Sequence, residues 1–91
     1  MAAYFAPANI RINAIAPGFM VNERSKAYLG TVEEGLTKRG EQVITHTPMG
    51  RFGQASDLVG CVKWLLNEKE SGFVTGITVP VDGGFLTLGG V

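Results

Sequence analysis

The chain has 91 residues, which is enough for at most one small domain. Its formal net charge is zero, so charge does not favour nucleic acid or an anionic membrane surface as a partner. The single cysteine, Cys61, excludes an internal disulfide framework and a cysteine-rich metal site; without a secretory leader or a membrane-length apolar run, it favours a cytoplasmic protein.

The first elements predicted are a helix end and a strand. Met1–Phe5 is typical of the last turn of a helix, and Ile10–Ala16 has the β-branched content of a buried strand. Pro17 and Gly18 end that strand, because proline removes a donor and glycine leaves room for a close approach to the backbone. Such a corner is where α/β sheets collect ligands.

Two helices are predicted in the middle of the chain. Asn22 is a suitable cap for a short helix over Asn22–Leu29. A turn at Glu33–Gly35 leads to a second helix over Lys38–His46, with Thr37 as its cap. Pro48 restricts the residue before it and so ends this helix.

The last third predicts a long helix and a second strand. The helix covers residues 56–67 with an apolar stripe, and Asn67–Gly72 is expected to be a solvated turn. The strand covers residues 77–81 and contains Pro80, so its blocked side should face a free sheet edge. Two strands joined by a long helical crossover should be parallel, which predicts an α/β fold.

Three segments resemble the short-chain dehydrogenase/reductase family. They are the Asn13-x-x-x-Pro17-Gly18 strand end, the Pro48–Gly53 stretch, and the last strand with its Asp-Gly-Gly turn within Gly72–Phe85. The resemblance implies that residues 1–91 form the C-terminal part of a Rossmann-like doubly wound parallel sheet. That part consists of the last two strands plus crossover helices, and is incomplete as a stand-alone domain.

The resemblance also implies a set of cofactor-binding residues for NAD or NADP. Pro17 and Gly18 would line the nicotinamide ring, and Met20 would offer its backbone N–H to the carboxamide. Asn22 stands where the family commonly has threonine, and could bind the carboxamide or a phosphate. A helix cap is an equally good interpretation of Asn22.

Further implications concern substrate and partners. The full-length family acts on a small-molecule carbonyl/alcohol pair. Leu36–Phe52 resembles the sugar-acid reductases of the D-mannonate (fructuronate) oxidoreductase type. Residues 23–47 would form a mobile substrate loop. The edge strand 77–81 and helix 56–67 would support a homo-oligomer.

The family's reacting groups are not found in these 91 residues. Tyr4 and Tyr28 are followed four residues later by alanine and valine, so neither begins a Tyr-x-x-x-Lys pair. The glycine-rich turn that holds a dinucleotide's phosphates is missing too. We therefore assign no catalytic residue and no metal site, and expect the isolated chain to be inactive. The alternative is a non-catalytic truncated product that acts through self-association or subunit pairing.

Several polar residues have simpler structural interpretations. His46 is expected near a helix C-terminus, where a cation is favoured. Arg51 is expected in an ion pair or capping a carbonyl, with binding of an anionic substrate as the less favoured reading. Lys38 and Arg39 are expected on a solvated helix face, and Asp82 is expected to shape a turn.

Overall fold

The computed structural model describes residues 1–88 as an α/β arrangement of short elements. In chain order these are α1 (Ala2–Phe5), β1 (Ala14–Pro17), α2 (Glu23–Leu29), β2 (Gly30–Thr31), β3 (Gly35–Leu36), α3 (Lys38–Thr45), α4 (Ser56–Leu66), α5 (Glu68–Ser71) and β4 (Thr78–Val81). Single 3₁₀ turns lie at Ala6–Ala8 and Phe85–Leu88. The last three residues of the predicted segment, 89–91, lie outside the described residues.

The central feature is a parallel pair of strands. β1 pairs with β4, with Ala14 opposite Thr78 and Pro17 opposite Val81. This confirms the predicted parallel pairing and the α/β class. A second pair, the antiparallel hairpin of β2 and β3, encloses the predicted turn at residues 33–35.

Pro80 occupies the position that its missing N–H requires. The backbone N–H groups of Ala14 and Gly18 donate to the carbonyls of Ile77 and Val81, both at 2.9 Å. Because these bonds use alternate residues of β4, Pro80 faces away from β1. The outer edge of β4 therefore lacks one donor for a further strand.

The predicted start of the first strand is wrong. Residues 10–13 are not part of β1, because their polar groups bind the loop before β4. The Arg11 guanidinium donates to the carbonyls of Ser71 and Leu65, both at 2.9 Å. The Asn13 amide donates to the carbonyl of Val74 at 3.1 Å and its oxygen accepts from the N–H of Ile77 at 3.2 Å. Side-chain bonds thus replace the ladder over this stretch.

The prediction of a solvated turn at 67–72 is also wrong. The segment contains α5, which Asn67 caps by accepting a hydrogen bond from the Lys69 N–H at 3.0 Å. Ser71 at its end is only 1% exposed, and its hydroxyl donates to the carbonyl of Trp64 at 2.6 Å. A serine that returns a hydrogen bond to the preceding helix stabilises a buried corner where composition indicates only polarity.

Both predicted helix caps in the middle segment are confirmed. The Asn22 side-chain oxygen accepts from the Ser25 N–H at 2.8 Å, and the Ser25 hydroxyl accepts from the Asn22 N–H at 2.9 Å. This is a reciprocal capping box. The Thr37 hydroxyl accepts from the Gly40 N–H at 3.0 Å at the start of α3.

The buried core lies between α2 and α3, beside the strands. It consists of Leu29, Val43 and Phe52, with Phe19, Leu36 and Ile44 packed around them. Gly40 allows the two helices to approach, because a Cβ there would lie 2.0 Å from the carbonyl oxygen of Leu29. By contrast, α4 buries none of its residues despite its apolar stripe. Among the described helices, none is long and apolar enough to cross a membrane.

Candidate functional site

A cleft of about 210 Å³ opens where the two parallel strands end. Three stretches of chain form its wall: the residues after β1, the loop between α3 and α4, and the residues at the end of β4. The lining residues are Gly18, Phe19, Met20, Thr47, Met49, Arg51, Gly53, Asp57, Val81, Asp82 and Gly83. The cleft thus occupies the carboxyl ends of parallel strands, where α/β sheets bind ligands.

The ends of β1 and β4 are in unusually close contact at Gly18. A Cβ on Gly18 would lie 2.7 Å from both Cα and Cβ of Asp82. Asp82 in turn shapes the bend, as expected, because its carboxylate accepts from the N–H groups of Gly84 at 2.9 Å and Leu86 at 3.2 Å. The close approach predicted at Gly18 is therefore made by the protein's own backbone.

Met20 is held by a short parallel bridge to Gly53. The Gly53 N–H donates to the carbonyl of Phe19, and the Val21 N–H donates to the carbonyl of Gly53, both at 2.8 Å. In a parallel bridge the residue between these two bonds directs its own N–H and C=O away from the partner. Accordingly, the Met20 N–H donates to no acceptor within residues 1–88.

An ion pair lines another side of the cleft. The Arg51 guanidinium lies 3.0 Å from the Asp57 carboxylate, which also accepts from the Gln54 N–H at 2.8 Å. The hydrogen bonds from Arg51 and from the Gln54 backbone lower the pKa of Asp57, and the bond to Asp57 raises the pKa of Arg51. The ion-pair interpretation of Arg51 is confirmed.

Aromatic and cationic groups meet at Phe19. Its ring packs edge-to-face against Phe85 with centroids 5.3 Å apart. The Arg39 guanidinium lies over the same ring, 5.5 Å from its centroid. Arg39 is therefore not only part of a solvated helix face. Nothing in the sequence indicated this contact, because it depends on how α3 packs.

The structure places the four predicted cofactor-binding residues in two positions. Gly18 and Met20 line the cleft, and Pro17 is the last residue of β1 just before them. Asn22 is the cap of α2 and is not a lining residue. His46 is the C-cap of α3, as expected, with Nδ1 2.8 Å from the carbonyl oxygen of Gln42. The sequence did not indicate Gly53 as the partner of Met20.

Known proteins similar to this chain are oxidoreductases. Residues 1–86 match the family model described as enoyl-(acyl carrier protein) reductase. The uncharacterized oxidoreductase UxuB of Bacillus subtilis is 50% identical over 91 residues, covering 100% of this chain and 33% of that protein.

Solved structures give the same relationship. A structure assigned as a D-mannonate oxidoreductase of Haemophilus influenzae, with bound NAD, superposes with a TM-score of 0.87 at 47% identity, covering 99% of this chain and 32% of that one. One assigned as a 2-deoxy-D-gluconate 3-dehydrogenase of Agrobacterium tumefaciens, with bound NADP, has a TM-score of 0.79 at 29% identity, covering 94% and 32%.

The chain spans about a third of the length of these relatives. Within that third, the parallel strands match the Rossmann-like structures of the family, and the resemblance to D-mannonate oxidoreductases is confirmed. The family model covers nearly all of the sequence. This chain belongs to the short-chain dehydrogenase/reductase family.

Proposed function

We propose that this chain forms the nicotinamide-side wall of an NAD- or NADP-dependent oxidoreductase that interconverts a carbonyl and an alcohol on a sugar acid. The observation that carries the proposal is the Met20 N–H. It is held in place by the bridge to Gly53, and has no acceptor within residues 1–88. A fixed, unpaired backbone donor at the end of a parallel strand suits a carboxamide oxygen.

The cleft fits one end of a dinucleotide better than the whole molecule. Its volume of about 210 Å³ is below the ~300–1,000 Å³ typical of pockets for drug-sized ligands. Phe19, Met20 and Val81 provide apolar surface for a planar ring, and the Met20 N–H provides direction. The bound nicotinamide would supply or accept the hydride, while these residues orient it and exclude water.

The remaining chemistry needs residues that these 91 do not provide. Neither tyrosine is followed by a lysine four residues later, so no general acid/base of the family's kind is present. We expect the 91-residue chain, purified alone, to give no turnover with NADH or NADPH and keto-sugar acids. Turnover by the pure chain would contradict this.

The direct test is a hybrid enzyme, in which this chain replaces the matching third of the Haemophilus influenzae oxidoreductase. We expect the hybrid to bind NADH with an affinity within about tenfold of the parent, measured by nicotinamide fluorescence. Met20→Pro removes the unpaired N–H while keeping both bonds of the bridge to Gly53. It should weaken NADH binding about 10-fold, the effect of one lost hydrogen bond of ~1.4 kcal/mol.

Val21→Pro is the matched control, because it removes a donor that the bridge does use. This variant should lower the melting temperature of the hybrid, whereas Met20→Pro should lower it less. A hybrid that folds but does not bind NADH would contradict the proposed function. Equal loss of NADH affinity and stability in both variants would remove the role of the Met20 N–H.

We also propose a homo-oligomer that uses strand 77–81 and helix 56–67, in a cytosolic protein. The apolar surface of α4 supports this, since Val59 is 48% exposed and Leu66 77% exposed. Because Pro80 lacks a donor at the outer edge of β4, side-chain packing rather than strand addition would join the copies. The same surface would serve the non-catalytic alternative, which predicts association without NADH binding by the hybrid.

A further inference from the structure

We propose that Arg39 binds the carboxylate of the substrate and thereby selects sugar acids over neutral polyols. The inference rests on the proposed function and concerns the same cleft. Its starting observation is the position of the Arg39 guanidinium, 5.5 Å from the centroid of the Phe19 ring. Phe19 is a wall residue of the cleft, so the cation is one aromatic ring away from it.

The charge of Arg39 is not neutralised by the chain. Arg39 forms no ion pair and no side-chain hydrogen bond within residues 1–88; its recorded contact is the cation–π contact. An arginine stacked on an aromatic face keeps its five N–H donors in one plane, free to bind a carboxylate in bidentate fashion. The contact thus fixes the cation without using its donors.

The other arginine at the cleft is already used. Arg51 lines the cleft, but it binds the Asp57 carboxylate at 3.0 Å and donates to the carbonyl of Phe52 at 3.0 Å. Its charge is therefore largely compensated, and a substrate carboxylate would have to displace Asp57. Arg39 is the better partner for an added negative charge.

The ring that supports Arg39 is itself held at the strand ends. Phe19 follows Gly18 directly, and it packs edge-to-face against Phe85, which follows the Asp82 turn. Arg39 lies in the first turn of α3, within the loop predicted to contact substrate. Movement of that loop would carry the cation toward or away from the cleft, while the aromatic pair stays with β1 and β4.

The experiment uses the hybrid enzyme saturated with NAD. Arg39→Gln should raise both the KM for D-mannonate and its Kd by calorimetry about 10- to 100-fold, the range for a lost charge-assisted hydrogen bond. The kcat and the affinity for NADH should change less than threefold. Binding of the neutral amide of the same acid should not change. Arg39→Lys should recover part of the affinity, because it restores the charge but not the planar fork.

Lys38→Gln is the matched control, since it removes the same charge from the adjacent residue of the same helix turn. It should change the Kd for D-mannonate less than threefold. Equal effects of the two variants, or an equal loss of amide and acid binding by Arg39→Gln, would overturn the inference. In those cases unchanged NADH binding would leave the proposed function standing, whereas a hybrid without NADH binding would remove both.

Discussion

At the scale of single residues, the cleft is shaped by a contact that a side chain would destroy. Gly18 lies so close to Asp82 that even a methyl group would overlap backbone and Cβ atoms at 2.7 Å. The N–H of Gly18 also donates to the carbonyl of Val81 at 2.9 Å. The absence of a side chain therefore lets two strand ends converge, and their convergence creates the cleft.

Gly18→Ala should lower the free energy of unfolding by about 1–3 kcal/mol, the usual cost of forcing atoms into an occupied space. Gly60→Ala is the matched control, because a Cβ there meets nothing within 4 Å. It lies inside α4, where alanine is favoured over glycine by up to about 1 kcal/mol. Urea unfolding should show opposite signs for the two variants. A neutral Gly18→Ala would contradict the proposed packing role.

Residues near one another in sequence were the predictable part of the site. The Pro17-Gly18 corner and the Asp82 turn follow from local backbone chemistry, so their positions could be inferred from sequence. The contact of Arg39 with Phe19 and the bridge of Met20 to Gly53 join residues 20 and 33 positions apart. Such contacts depend on helix packing, which periodicity does not specify.

At the scale of elements, the same distinction explains the wrong boundaries. Both caps of α2 and α3 are local motifs and were predicted. The late start of β1 and the presence of α5 depend on Arg11 and Ser71, which bind backbone groups far along the chain. Polar side chains in a strand-like or turn-like segment can thus replace the expected backbone pairing.

The start of α4 predicts a pH dependence through Asp57. Its pKa is lowered in the folded chain by the hydrogen bonds from Arg51 and Gln54. A carboxyl group with a depressed native pKa stabilises the fold fully above its unfolded value of about 3.9, and this contribution is lost as the pH falls through the native value. Asp57→Asn should therefore lower the urea midpoint at pH 7, and the difference from wild type should shrink below about pH 4.

The partner provides the control for this prediction. In an Arg51→Gln background, the Asp57→Asn change should have a smaller effect at pH 7, because the main cause of the shift has been removed. Urea midpoints from pH 7 to pH 3 measure all four proteins of this double-mutant cycle. A difference between Asp57→Asn and wild type that stays constant over this range would contradict the ion pair's contribution.

At the scale of the whole molecule, the chain is far from compact. Its radius of gyration is 16.1 Å, against the ~12 Å that a compact domain of this length would have. Its dimensions are 50 × 25 × 19 Å. Three buried hydrophobic residues cannot balance the ordering of so extended a chain, whereas α4 leaves its apolar stripe uncovered. The shape predicts that α4 is covered by another polypeptide surface.

A substitution at the end of α4 tests the proposed self-association. Leu66 is 77% exposed, and Leu66→Lys adds a charge to that surface while suiting the C-terminal end of the helix. We expect the wild-type chain to sediment as a dimer or larger species and Leu66→Lys to shift it toward monomer. Val32→Lys is the matched control, because Val32 is 69% exposed but lies in the β2–β3 hairpin. A monomeric wild-type chain, or equal dissociation by both variants, would contradict association through helix 56–67.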